Sequence, residues 1–399
     1  MITAIGPFSI DMYLPAFADI AADLHTTVAH VSLSLSSFFI GISFGQFIYG
    51  PLLDRFGRKK PLFVGLVIYL LTSALCALVQ NADMLIALRF VQALGGCAGM
   101  VASRAMVRDL FSVHDNAKVF SMLMLVVGVS PIIAPTLGGF VTAELGWHYV
   151  FVILTIMALI IILAVHYGLP ESREADPGYS LKPGSIVKNF WAVLQEPQFF
   201  TYAFTGSVAA AGLYAYVAGS PTVFLEIFKV SEKQYGLIFA LVAAGLILAT
   251  QFNRLLLQKY KSEQIIPVAL FVQSLAGICL FVGSLTGLVG LLGTILLLLV
   301  YLSCQGFTFP NSSALSMAPF TKNAGSASAL MGGVQMGLGA LTSAIVSVLS
   351  NGTALPMTGV MACCAISSFI ILQVGNRIIR YKASKELVDE ECVEMMGNS

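Results

Sequence analysis

Two ionisable side chains stand deep in apolar sequence: Asp11 in SIDMYLP and Arg89 in LRFVQALGG. A charge among apolar residues is costly unless it is paired or put to use. Pro7 and Pro15 lie four residues either side of Asp11, and proline interrupts the helical hydrogen-bond ladder. A carboxylate taken out of water holds its proton more readily and can exchange it near neutral pH. Two readings of the acid stand side by side: a proton-exchanging group, or a fixed structural pair with Arg89; both hold together if that pair opens when a proton or cation binds. Arg89, Gln92, Gly96 and Gly99 recur at helical spacing, which sets a polar group beside a groove of small residues where helices approach closely. Tyr13, Gln46, Tyr214, Tyr216, Gln305, Asn311 and Gln335 supply further hydroxyls and amides in apolar surroundings. They are candidates to line a cavity, and each alone serves equally as a helix–helix hydrogen bond. His25, His30, His114, His148 and His166 form no pair at ligand spacing, and the seven cysteines form no C-x-x-C. No metal, no other cofactor and no enzyme's nucleophile set is therefore expected.

The elements that must position these groups follow from composition. Only 10% of the 399 residues are charged and 57% are hydrophobic, with mean hydropathy +0.88, whereas a soluble chain is about a quarter charged. This is an all-α polytopic membrane protein. Crossing roughly 30 Å of hydrocarbon takes about 20 apolar residues, and cutting at charge and turn clusters predicts twelve spans near 1–20, 31–53, 61–80, 84–108, 118–143, 147–168, 199–225, 234–256, 264–285, 288–315, 323–350 and 355–377. Segments of that length must be helices, because each backbone polar group has to be paired within its own span. Met1 opens directly into apolar sequence without a basic leader, so no cleavable signal is expected and this stretch is expected to be a short first span.

Alternate loops carry the bases. Loops 2-3, 4-5, 6-7, 8-9 and 10-11 and the tail hold seventeen Lys and Arg, the other loops only Lys229 and Lys233. That asymmetry predicts both termini on the cytoplasmic side of the inner membrane. The formal net charge of +1, its bases sorted by loop, gives no footprint for nucleic acid. The long polar stretch from Pro170 to Gln198 divides the chain into a six-helix bundle over 1–169, a central cytoplasmic loop over 170–198, a second bundle over 199–382 and a tail over 383–399. Ile186 to Leu194 has apolar residues at helical spacing, as a helix lying on the inner membrane face or a plain linker would.

Gly50 to Leu62, GPLLDRFGRKKPL, packs Arg55, Arg58, Lys59 and Lys60 into one short connection beside Asp54, with Gly57 free to turn. Asp54 and Asp109 each sit at the negative end of their own helix, which calls for a positive partner. Arg58 is expected to bridge to Asp109, and Asp54 to meet the N-terminus of span 11 near Ala324 and Gly325. In span 5, GVSPIIAPTLGG, Pro131 and Pro135 kink the helix while Gly138 and Gly139 thin it.

The G-x-x-x-D-R-x-G-R-K order of the first stretch, including Gly50, Asp54, Arg55, Gly57 and Arg58, resembles the loop signature of the major facilitator superfamily. Span 4 resembles its R-x-x-Q-G motif with Ala93 for the glycine, and span 5 resembles the G-P-x-x-G-G core of its drug antiporters with Ala134 for the first glycine. With IDMYLP and the polar stretches of spans 10 and 11, the chain is similar to the bicyclomycin and chloramphenicol resistance (Bcr/CflA) branch from Met1 to about Lys382. The resemblance implies twelve helices in two six-helix bundles, and export of small organic molecules in exchange for protons by alternating access, as a monomer in the bilayer with no cofactor beyond the proton gradient. It implies Asp11 and Arg89 in proton coupling, and the Gly50 to Arg58 stretch with Asp109 as a conformational gate. A metabolite transporter of the same fold, for a sugar, nucleoside or amino acid, is the alternative.

Overall fold

A computed structural model describes residues 2–110, 113–172, 175, 183–320 and 324–397, with backbone alone at 54, 104, 108, 113–125, 127, 183, 185–189, 324–326 and 382–397. Among the described residues there is no strand. Ten helices among the described residues are long and apolar enough to cross a membrane: α3 (Val28–Phe56), α4 (Lys59–Cys76), α5 (Ala82–Leu110), α7 (His148–Gly168), α9 (Pro197–Pro221), α10 (Glu232–Leu256), α11 (Ser262–Thr286), α12 (Leu291–Met317), α13 (Ala324–Val348) and α14 (Leu355–Gly397). The expected fifth span is α6 (Val113–Leu145), which carries Pro131 and Pro135 within it. The amphipathic linker segment is α8 (Pro183–Leu194), whose Phe190 ring lies 5.6 Å from that of Phe47 while Val193 is buried and Trp191 faces out.

The first expected span is broken rather than continuous. It runs as α1 (Ile5–Asp11), a 3-10 turn over Leu14–Ala16 and α2 (Phe17–Asp23). Pro15 has no N–H to give the carbonyl of Asp11 four residues earlier, so the ladder ends at the acid. Two seven-residue pieces are each too short to read as a span.

Helices α1 and α3 to α7 pack into one bundle, and α9 to α14 into a second. Two antiparallel seams join them. Along the first, Ser32 Oγ and Ser347 Oγ are 2.5 Å apart, Ser36 Oγ and Ser343 Oγ 2.7 Å, and Ser43 Oγ donates to the Gly333 carbonyl at 3.1 Å. Further along, a Cβ on Gly333 would stand 2.1 Å from the Phe47 ring. The second seam joins α6 to α10. A Cβ on Gly236 would stand 2.6 Å from the Pro135 carbonyl oxygen, and one on Gly139 2.5 Å from that of Glu232. Backbones meet this closely because small residues leave room, and packing in a membrane rests on such approaches and on hydroxyl hydrogen bonds.

At the end of the second seam Lys233 Nζ donates to Glu144 Oε1 at 2.5 Å, tying α10 to α6 across the two bundles. This Lys233 end lies opposite the end that carries Arg58. The hydrogen bond from Lys233, and then its charge, hold the Glu144 carboxyl below its ordinary value of 4.5. A lowered carboxylate stabilises the state that contains it above the ordinary value, and that contribution is lost as pH falls through the lowered one. The Lys233 end is therefore expected to loosen below about pH 4.5. Spin-label distances across α6 and α10 should lengthen there, and Glu144→Gln should show the longer distances already at neutral pH. Identical distances in both proteins at both pH values would remove this role for the pair.

Candidate transport site

Arg89, on α5, is wholly buried. Its Nη2 donates to the Ser9 carbonyl at 2.7 Å and its Nη1 to Gln92 Oε1 at 2.7 Å. Gln92 Nε2 donates onward to Ser73 Oγ at 2.7 Å, and Ser73 Oγ to the Tyr69 carbonyl at 2.6 Å. The guanidinium also lies over three rings, with its carbon 4.1 Å from the centroid of Phe38, 4.6 Å from Tyr13 and 5.9 Å from Phe151. Ring faces attract a cation, more strongly where water is excluded. The position in α5 follows from the helical spacing of Arg89 and Gln92, one turn apart on one face.

The fixed pair that one reading set between Arg89 and Asp11 is not made: among the described residues neither an ion pair nor a hydrogen bond joins them. The reason is angular. Arg89 reaches the backbone of Ser9, whose side chain meets Tyr69 Oη at 2.5 Å within the first bundle. Two residues later the helix has turned roughly 200°, so Asp11 faces the second bundle. Asp11 is 6% exposed and lies within electrostatic range of the hydroxyls of Tyr214, Tyr216 and Tyr235. The Tyr216 hydroxyl is buried without a hydrogen-bond partner among the described residues, and its ring stacks on Phe239 at 5.4 Å.

The glycines of span 5 press against the same spot. A Cβ on Gly138 would stand 1.9 Å from the carbonyl oxygen of Met12, the residue after the acid. Only glycine lets α6 come this near to the break in the first span, so Gly138 and Gly139 set the spacing of α6 against Asp11 on one side and α10 on the other.

The remaining sequence candidates divide into two groups. Tyr214 and Gln46 lie where the bundles meet: Tyr214 packs on Phe39 with centroids 4.7 Å apart and donates to Met336 Sδ at 3.6 Å, and Gln46 Oε1 would lie 2.1 Å from a Cβ on Gly332. Gln335 is half-buried on α13. Tyr13, Gln92 and Asn311 instead bond inside their own bundles. The Tyr13 hydroxyl contacts Ser34, and Asn311 Nδ2 donates to Asn253 Oδ1 and the Phe307 carbonyl, each at 2.8 Å. Gln305 is buried in α12, its amide unpartnered among the described residues, and Gln273, buried on α11 beside Tyr301, is a group sequence reading missed.

At the other end of the first bundle, Arg58 Nε donates to Asp109 Oδ2 at 2.7 Å, the contact expected from the sequence. Gly57 has φ 81°, which glycine tolerates best, and ends α3. Arg55 is half-buried with its guanidinium 5.8 Å from the Phe56 ring, and Gly50 has open space beside it. The Asp54 side chain, and with it the expected contact near Ala324 and Gly325, lie outside the described residues. Sequence reading passed over Glu171, which accepts the Arg58 and Lys59 backbone N–H groups at 2.7 and 3.1 Å. An acid at the start of α4 answers that helix's positive end; its signal was an acid just past span 6, opposite four cations. Glu144 and Lys233 were likewise missed as a pair, since they are far apart in sequence.

The sequence profile of the Major Facilitator Superfamily matches residues 1–344. The chain belongs to that superfamily. Relatives agree: it is 32% identical to "Uncharacterized MFS-type transporter YdgK" of Bacillus subtilis (92% of this chain, 91% of that one), and 31% identical to "Bicyclomycin resistance protein homolog" of Haemophilus influenzae (93% of each). It is 28% identical to "Multidrug resistance protein MdtL" of Escherichia coli (92% and 91%). Among solved superfamily structures, a D-xylose-proton symporter superposes with TM-score 0.71 at 14% identity, covering 93% of this chain and 95% of that one. The nucleoside transporter NupG superposes at 0.70 and 13% identity, covering 94% and 98%. These two likenesses show the fold alone.

The Arg89 network makes a definite demand on its fork of donors. Arg89→Lys keeps the charge but cannot serve Ser9 and Gln92 in the same bidentate manner. Loss of one charge-assisted hydrogen bond is expected to cost about 1.5–3 kcal/mol, read as a lowered thermal midpoint of the purified protein. An unchanged midpoint would mean that the network adds nothing to stability.

Proposed function

We propose that this superfamily transporter exports drugs or other small organic molecules across the inner membrane in exchange for protons, with Asp11 as the coupling group. One observation carries the reading. Asp11 is the buried acid at the meeting of the two bundles, with no cation and no hydrogen bond among the described residues to hold it charged. A carboxylate so placed is costly as an anion and cheaper protonated, or when a bound substrate satisfies it. Proton and substrate therefore compete for it, and exchange follows when the bundles rock so that the site faces one side and then the other. Tyr214 and Gln46, where the bundles meet, and Gln335 on α13 are the polar groups offered to a substrate. Arg89 acts from behind, fixing the segment from Ser9 that aims the acid.

The relatives support export. Two carry names of drug resistance, for bicyclomycin and for multiple drugs, and the distribution of bases supports cytoplasmic termini. The likeness to sugar and nucleoside carriers is one of fold and favours no substrate. One proton per neutral substrate is sufficient: a charge crossing 100 mV is worth about 2.3 kcal/mol and a pH unit about 1.4, enough together for a gradient of a few hundredfold. No cofactor or second subunit enters this cycle.

Inverted membrane vesicles test it. Asp11→Asn keeps the shape of the side chain but has no proton to release, and is expected to abolish accumulation driven by an imposed pH gradient while expression stays normal. Transport by Asp11→Asn with an undiminished response to the gradient would place the coupling elsewhere.

A further inference from the structure

Within the second bundle, a groove of about 950 Å³ runs between α10 and α12. Leu248, Phe252 and Leu255 of α10 form one wall and are each more than half exposed; Leu299 and Phe307 of α12 form the other. From Gly245 to Gln258 the α10 wall spans about 20 Å at the helical rise, a length suited to an extended acyl chain.

The groove changes character at the Arg58 end. Gln251, Arg254 and Gln258 recur at one helical face along its rim, so a cation stands between two neutral hydrogen-bonding amides. Lys259 and Lys261 follow on the next turn, both exposed. Among the described residues none of these three cations forms an ion pair. The nearby acid is Glu263 at the start of α11, and Arg380 shares its surroundings, both acting on Tyr202. Among the described residues the cations at the mouth, Arg254, Lys259, Lys261 and Arg380, outnumber the acid Glu263, and the groove they border is lined by apolar side chains.

We propose that this groove is a binding site for one anionic phospholipid, its acyl chain lying along Leu248, Phe252 and Phe307 and its phosphate held by Arg254. Charge complementarity selects the occupant. A zwitterionic lipid fills the apolar part equally well but brings its own cation to a rim that already holds Arg254, with Lys259 and Lys261 on the next turn. The groove opens where acyl chains surround the protein, and the surplus of positive charge sits at headgroup depth, where each base near an anionic surface contributes about 1 kcal/mol.

The test uses the full chain in nanodiscs of equal parts phosphatidylglycerol and phosphatidylcholine, followed by gentle release and mass spectrometry of the intact protein with its retained lipids. One phosphatidylglycerol is expected to stay bound in preference to phosphatidylcholine. Arg254→Gln is expected to lower its retention about fivefold, the change equivalent to about 1 kcal/mol for one base, and Arg254→Lys to restore most of it. Ser303→Trp, which fills the α12 wall, is expected to expel either lipid. Equal retention of the two lipids by the unaltered protein, or undiminished phosphatidylglycerol on Arg254→Gln, overturns the site. Because Arg254 is exposed, its replacement leaves the folded core intact, and an unchanged thermal midpoint checks this.

Discussion

A buried guanidinium holds the first bundle to its register. Arg89 has no water to turn to and, among the described residues, no acid beside it, so every compensation comes from the surrounding chain. A carbonyl, an amide and three ring faces supply it. Removing a charge from water costs several kcal/mol even after relaxation, so each of those groups must be in place together. They come from α1, α3, α5 and α7 and from the turn after α1. The cation thereby ties the broken first span to the rest of its bundle, and the direction in which Asp11 points is a consequence of where Ser9 is held.

The second constraint is distance between backbones. α6 touches the residue after Asp11 through Gly138 and α10 through Gly139, both closer than any side chain allows. The same helix ends in Glu144, paired with Lys233 of α10. The span that carries two prolines and two adjacent glycines is thus at once a wall of the site and one half of a bundle seam. One helix thus touches both the residue after the acid and the other bundle, with no relay of side chains between the two contacts.

Much of this was legible in the sequence. Hydropathy and the sorting of bases gave the spans, and the cluster at Gly57 gave the Arg58–Asp109 bridge, because short loops leave a cation few places to go. The break in the first span was written in Pro15, yet its extent was not, since tertiary contacts decide whether a proline bends or ends a helix. Amides were the least readable. Gln46 meets α13 of the other bundle while Gln92 and Asn311 bond within their own, and a glutamine or asparagine in apolar sequence looks the same in either setting. The Asp11–Arg89 pair, one of two readings of the acid, is absent because of two residues of helical rotation, a detail set by which backbone carbonyl the arginine finds first.

If Asp11 is bound by proton or substrate but not by both, substrate binding alone must expel a proton. The direct measurement is pH change in weakly buffered solution when a transported drug is added to the purified protein in detergent, with no gradient and no membrane. The account requires about one proton released per drug bound near the pH where the acid is protonated, and none from Asp11→Asn at the same drug occupancy. Equal proton release from both proteins would contradict it.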